Sequence, residues 1–295
     1  MKNLICINTY KSPDLVKAFV WDYINFAQAD PEYDFVVSLD GADSETIEYC
    51  KTHKIPLLYS DSNEGVGISK NRVIESFKDY DYYFFIEDDI ELLNPEVFDI
   101  HIKLSQELDI PHFSLFEARR IRNQKNVLEH DGYHIIQAMY GGAPFNFFSK
   151  KGLDIVGGFH THFAQFKRFG HTEHTYRFVH NGLSEYPFQL IEECLEGYFR
   201  WNDPISRIKI SVEVSENRLF VDEEELIAQK LKFFPVETLC AYHSLNSENI
   251  QNLDNIIMDS KVGKHKKRFY RKLTIINFLR DIKNIPKNII KKLLG

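Results

Sequence analysis

The sequence predicts an α/β fold built on a mostly parallel, doubly wound sheet, and three observations carry that expectation. Four short apolar runs of β character alternate with helix-like periodic stretches in the first 110 residues. One of them, Tyr82-Tyr83-Phe84-Phe85-Ile86, is aromatic and carries no charge, as expected of a strand buried on both faces. That run ends abruptly in Glu87-Asp88-Asp89, and the carboxyl ends of strands are where open α/β sheets take their ligands.

The elements follow in order. Leu4 to Tyr10 is the first strand, and Ser12-Pro13-Asp14 supplies a helix start before a periodic stretch to Phe26. Phe35 to Gly41 is a second strand ending in an acid and a turn. Ser44 to His53 is a short helix, and Pro56 to Tyr59 is a third strand. Asn63-Glu64-Gly65-Val66-Gly67 is a polar turn that opens the helix leading to the aromatic strand. After Pro95 a helix runs to Leu108. Strands are expected over Phe113 to Phe116, His134 to Tyr140 and Phe145 to Ser149, with a helix over Lys150 to Val156 and another from Thr172. Beyond residue 200, Ile208 to Val214 and Thr238 to Tyr242 have strand character and Asp222 to Lys232 has helical character. Residues 1–110 form one half of the expected domain and 111–260 the other, followed by a tail over 261–295.

The chain has 295 residues, enough for one large core. Its four cysteines form no CxxC pair, so neither a disulfide framework nor a cysteine-rich zinc site is expected. The five histidines between His160 and His180 include no HExxH spacing, and zinc is not expected there either. With no signal-peptide pattern and no run long enough to span a bilayer, a cytoplasmic location is expected. The net charge of -7 is unevenly spread. Twelve of 36 basic residues but only one of 43 acidic residues lie after residue 260, leaving 24 basic against 42 acidic in the body. An acidic body is repelled by phosphate backbones, so nucleic acid is not an expected partner.

Three adjacent carboxylates repel one another, and a hard divalent cation with oxygen-rich partners makes the arrangement favourable. A diphosphate carrying Mg2+ or Mn2+ fits that description. In order and kind of element, residues 3–245 resemble the GT-A (Rossmann-like) nucleotide-sugar glycosyltransferases, family 2 and its relatives. The resemblance implies that Thr9, Tyr10 and Asp40, at the ends of the first two strands, contact the donor. It implies the same for Asn63, Gly65, Lys70 and Asn71, which match an Asn-x-Gly pattern followed by a basic residue and Asn. Glu87-Asp88-Asp89 stands where the family keeps its DXD motif. By that likeness Asp89 ligates the metal, Glu87 and Asp88 lie near the ribose or sugar, and His243 in Tyr242-His243-Ser244 is a second metal ligand. Gly170-His171-Thr172-Glu173-His174-Thr175-Tyr176-Arg177 resembles the acidic helix start on the acceptor side. Glu173 is then the catalytic base, with His174 where a second acid is usual and His171 and His174 as competitors for the role.

The implied activity is transfer of a sugar, with inversion, from a nucleotide-sugar (a UDP-sugar) to a glycan or lipid-linked saccharide, in surface polysaccharide or glycoconjugate synthesis. A sugar nucleotidyltransferase uses a related sheet, but its Gly-rich phosphate loop is absent between Leu4 and Lys17. A membrane-tethered glycan-binding scaffold with a degenerate site is the non-enzymatic alternative. The tail alternates basic clusters such as Lys264 to Lys272 with Phe, Ile and Leu at helix-like spacing, so a basic amphipathic helix on an anionic membrane surface is expected. Basic residues near such a surface contribute roughly 1 kcal/mol each. Removal of residues 264–295 is therefore expected to abolish salt-sensitive co-sedimentation with anionic vesicles, and undiminished co-sedimentation would refute the idea.

Overall fold

The computed structural model describes residues 1–115, 126–138, 141–142, 144–160, 170–195 and 197–202. The expected strands at 208–214 and 238–242, the helix at 222–232, His243 and the basic tail lie outside the described residues.

A six-stranded sheet forms the body. Its strands are β1 (Asn3–Thr9), β2 (Tyr33–Leu39), β3 (Leu57–Tyr59), β4 (Tyr82–Glu87), β6 (His112–Leu115) and β9 (Phe145–Ser149), in the order β3-β2-β1-β4-β9-β6. β3, β2, β1 and β4 are mutually parallel, and β9 runs antiparallel between β4 and β6. The intervening helices are α1 (Pro13–Ala29), α2 (Ser44–His53), α3 (Val66–Ser76) and α4 (Glu96–Leu108). The parallel, doubly wound arrangement expected from the alternating runs is thus present.

Each helix follows from local sequence. Pro13 sits in the first turn of α1, where its missing N–H costs nothing, and Val16, Val20, Tyr23, Ile24 and Ala27 fall on one buried stripe. Asp43 caps α2, its carboxylate accepting from the Glu45 N–H at 3.2 Å. The sheet separates two apolar layers because neighbouring strand residues point to opposite faces. Ile5, Ile7, Phe84 and Ile86 pack with Val20, Tyr23 and Phe98 of α1 and α4. Leu4, Cys6, Tyr83 and Phe85 pack with Val73 and Ile74 of α3, and with Phe148 and Phe178.

Further elements complete the second half. β7 (Asn126–His130), β8 (Tyr133–Ala138) and β10 (Phe188–Ile191) form an antiparallel sheet in the order β10-β8-β7, and β5 (Ile90–Leu92) pairs with β11 (Phe199–Trp201). α5 (Lys150–Val156) follows β9 directly, capped by Ser149, whose hydroxyl accepts from the Gly152 N–H. α6 (Gly170–His180) contains the helix expected from about Thr172. β8 covers the expected strand from His134 to Ala138, and residues 139–140 lie outside the described residues.

The fold buries imidazoles. His101 and His112 are 4% and 0% exposed, and each presents a ring nitrogen to a carbonyl, Val97 at 2.7 Å and Pro187 at 2.9 Å. Burial pushes both down to about 4, with the carbonyl contacts acting weakly the other way. Because the folded values lie below the ordinary 6.5, the unfolded chain binds more protons between the two. Stability is therefore whole above about pH 6.5 and drains as the pH falls toward 4, by on the order of 3 kcal/mol per histidine. A steep fall in Tm between pH 7 and 5 is expected, and a flat profile there would contradict it.

Candidate functional site

The strand order reverses beside β1: β2 and β3 lie on one side of it and β4 on the other. Ligand crevices open at such a switch point, outside the carboxyl ends of the strands. Asn8 pairs with Glu87 across this point, so Thr9 and the acidic triplet are brought together. The Thr9 hydroxyl donates to Asp88 Oδ2 at 2.6 Å, and both residues are buried. The Glu87 N–H is tied to the Pro144 carbonyl at 2.7 Å, which holds the end of β4 against the turn preceding β9.

Asp89 is 4% exposed. Its Oδ2 accepts the indole N–H of Trp201 at 3.0 Å, and its backbone carbonyl accepts the Asn202 N–H at 2.8 Å. Oxygen-only donors at this strand end suit Mg2+ or Mn2+, and such ions are commonly held by one or two carboxylates together with substrate phosphates. Among the described residues no cluster of three or more His, Cys, Asp or Glu side chains has metal-binding geometry.

The opposite wall is the Asn63-Glu64-Gly65 turn. Both Asp40 oxygens accept backbone N–H groups from it, Glu64 at 2.7 Å and Gly65 at 2.8 Å. Asp40, expected as a donor contact, therefore also shapes the loop. Gly65 has φ 96° and ψ 148°, a conformation that a side chain makes costly, by about 1 to 3 kcal/mol. Glu64 pairs with Arg72 at 2.5 Å.

Lys70 and Asn71 lie deeper than a direct donor contact requires. Lys70 is 1% exposed and donates to Asn146 Oδ1 at 2.7 Å, with its Nζ 5.6 Å and 5.3 Å from the ring centroids of Phe85 and Phe159. Burial lowers it to about 8, while Glu87 nearby favours the charged form. Asn71 exchanges two hydrogen bonds with the Phe159 backbone, each 2.7 Å, and so fixes the chain after α5. Tyr10 is half-buried beside this crevice, its ring 5.4 Å from Lys11 Nζ.

Glu173 is placed differently from expectation. It is 0% exposed and both of its oxygens face Arg177, Oε1 to Nε at 2.9 Å and Oε2 to Nη2 at 3.1 Å. Arg177, equally buried, also donates to the carbonyls of Val156, at 2.6 Å, and Gly158. Burial lowers Arg177 from its ordinary value, and Glu173 works against that. A carboxylate enclosed this way and matched to a guanidinium suits an internal ion pair, and the geometry speaks against the base role expected of it. His174 is also buried, with Nε2 2.8 Å from the Gly157 carbonyl and its ring stacked on Phe159 at 4.2 Å. Burial holds it well below the usual imidazole range.

Sequence reasoning missed Trp201, Asn202, Glu91 and Asn146. The period-2 alternation of Asp89-Ile90-Glu91-Leu92 was a signal for β5, but its partner strand lies more than 100 residues later.

No protein-family model matches the sequence, and no curated protein sequence matches it significantly. Solved structures do match its fold. S. aureus TarS 1-349 superposes with a TM-score of 0.50 at 14% identity, over 78% of this chain and 69% of that one. TarS 1-349 in complex with UDP gives 0.50 at 13% identity, over 90% and 77%. The mannosyltransferase PcManGT from Pyrobaculum calidifontis, in complex with GDP-Man and Mn2+, gives 0.45 at 13% identity, over 69% and 55%. The mainly parallel sheet, its switch point and the two superpositions on TarS 1-349 together show that the chain shares the GT-A-like, Rossmann-type fold of that protein.

Proposed function

We propose that the protein is a metal-dependent glycosyltransferase that takes a sugar from a UDP-sugar and passes it, with inversion, to a glycan or lipid-linked saccharide in surface-glycan synthesis. The observation that carries the reading is the acidic end of β4 at the switch point, where Asp88 and Asp89 are buried side by side and Asp88 is clamped by Thr9. A surface turn would leave such acids in water. Support for the donor comes from the superposition on TarS with UDP.

In this reading Asp89, with Asp88 beside it, would hold Mn2+ or Mg2+, and the tail lies against the inner membrane face. The bound cation supplies Lewis-acid neutralisation of the diphosphate as its charge builds. Everything else falls to the chain. Thr9 and Trp201 orient the two carboxylates, Asp40 folds the Asn63 to Gly65 turn over the donor side, and Lys70 adds positive charge beneath Glu87. Preset groups of this kind lower the barrier because no reorganisation is needed during the reaction.

The test is a panel of nucleotide-sugars incubated with the full chain and Mn2+, with and without excess chelator, reading nucleoside diphosphate release. Chelator-sensitive release from a UDP-sugar is expected. Absence of both binding and turnover for every nucleotide-sugar would overturn the reading.

A further inference from the structure

We propose that Trp201 is a positioning residue for Asp89, holding that carboxylate in the orientation that receives the divalent cation; this rests on Asp89 being the metal ligand. β11 lies antiparallel to β5 with Trp201 opposite Ile90, Arg200 opposite Glu91 and Phe199 opposite Leu92. The pairing puts Asn202 next to Asp89, whose carbonyl accepts the Asn202 N–H at 2.8 Å, while the indole N–H reaches Asp89 Oδ2 at 3.0 Å. Backbone and side chain of Asp89 are thus gripped by two consecutive residues, Trp201 at the end of β11 and Asn202 directly after it.

The grip is itself anchored. Arg200 Nη1 donates to both Glu91 oxygens at 3.0 Å, and Asn202 Nδ2 to Glu91 Oε2 at 3.0 Å. Phe199 is buried against Phe145, with ring centroids 5.2 Å apart, and the Tyr23 hydroxyl donates to the Ile90 carbonyl at 2.7 Å. An indole N–H is a donor only, so it favours the charged carboxylate. It occupies one of roughly four acceptor directions, which fixes the orientation without exhausting the carboxylate's capacity for a cation. Trp201 is 46% exposed, and its indole N–H, the polar part of the side chain, is directed at Asp89 Oδ2. Groups that orient metal ligands in this way typically change metal affinity 10- to 100-fold when removed.

Trp201→Phe keeps a ring and removes the N–H. Titration of the full chain with Mn2+ in the presence of UDP should show a Kd raised about 10- to 100-fold, with the Tm in the absence of metal unchanged. In an Asp89→Asn background the same substitution should add nothing, because the group it positions no longer ligates. A direct readout is also available, since the chain has only two tryptophans, Trp21 and Trp201. In a Trp21→Phe background, Mn2+ with UDP should quench Trp201 emission strongly, and the quenching should vanish with Asp89→Asn. Native Mn2+ affinity in Trp201→Phe alongside lost affinity in Asp89→Asn would overturn the positioning role and leave the metal assignment standing. Native affinity in both variants would overturn both.

Discussion

Asp89→Asn is expected to reduce sugar transfer by roughly 100- to 1000-fold, the rate equivalent of the several kcal/mol that a bound cation supplies to a developing diphosphate. Asn keeps the shape and still offers an oxygen to the Trp201 N–H, so the β5–β11 contact is expected to survive. Folding without metal should not suffer, because one of two adjacent buried negative charges is removed and their repulsion with it. The Tm of the metal-free variant should therefore equal or exceed that of the parent. A ligand that binds only the folded chain raises its stability, by about 2.7 kcal/mol at one hundred times its Kd. Mn2+ with UDP should accordingly raise the parent's Tm and leave that of Asp89→Asn unmoved. Parental turnover in the variant, or full parental activity in excess chelator, would refute the metal assignment.

How far the sequence disclosed all this depends on the range of the interactions involved. The β1–α1–β2–α2–β3–α3–β4 order was legible because each element is set by nearby residues: the apolar run of Tyr82 to Ile86, the Pro13 start of α1, the Asp43 cap of α2. Glu87-Asp88-Asp89 was legible as a strand end for the same reason. What faces those acids was not. Trp201 reaches Asp89 across 112 positions and Lys70 reaches Asn146 across 76, and no local pattern encodes such meetings. β5, β7, β10 and β11, of three to five residues each, were missed because short strands are fixed by their partners more than by their own composition. The turn anchored on Asp40 lies between the two cases. Its residues stood out, but only the fold shows both carboxylate oxygens occupied by backbone N–H groups.

Glu173 shows how a motif can be recognised and its work still be read differently from geometry. Positions 173 and 177 are one helical turn apart, which puts the carboxylate and guanidinium on the same face of α6. On an exposed face such a pair is worth little, but here both side chains are 0% exposed. Removing one partner of a buried pair leaves an uncompensated charge, at a cost of roughly 3 to 5 kcal/mol. Against a typical domain stability of about 5 to 15 kcal/mol this is a large fraction. Glu173→Gln is therefore expected to lower Tm sharply, because the neutral amide has the same size but leaves the Arg177 charge unmatched. Arg177→Met should be at least as damaging, since it also strips a donor from the carbonyls of Val156 and Gly158. The double variant Glu173→Gln, Arg177→Met removes both charges and should fall well short of the sum of the two losses, which identifies the pair as a coupled unit. Activity per folded molecule, measured well below each variant's Tm, separates this role from catalysis. A general base would cost on the order of 100 to 10,000-fold in rate at unchanged Tm. If Glu173→Gln shows that pattern, the carboxylate leaves Arg177 during the reaction and the ion-pair assignment is overturned; a lowered Tm with the specific rate retained places Glu173 in the scaffold that ties α6 to the backbone at Val156 and Gly158.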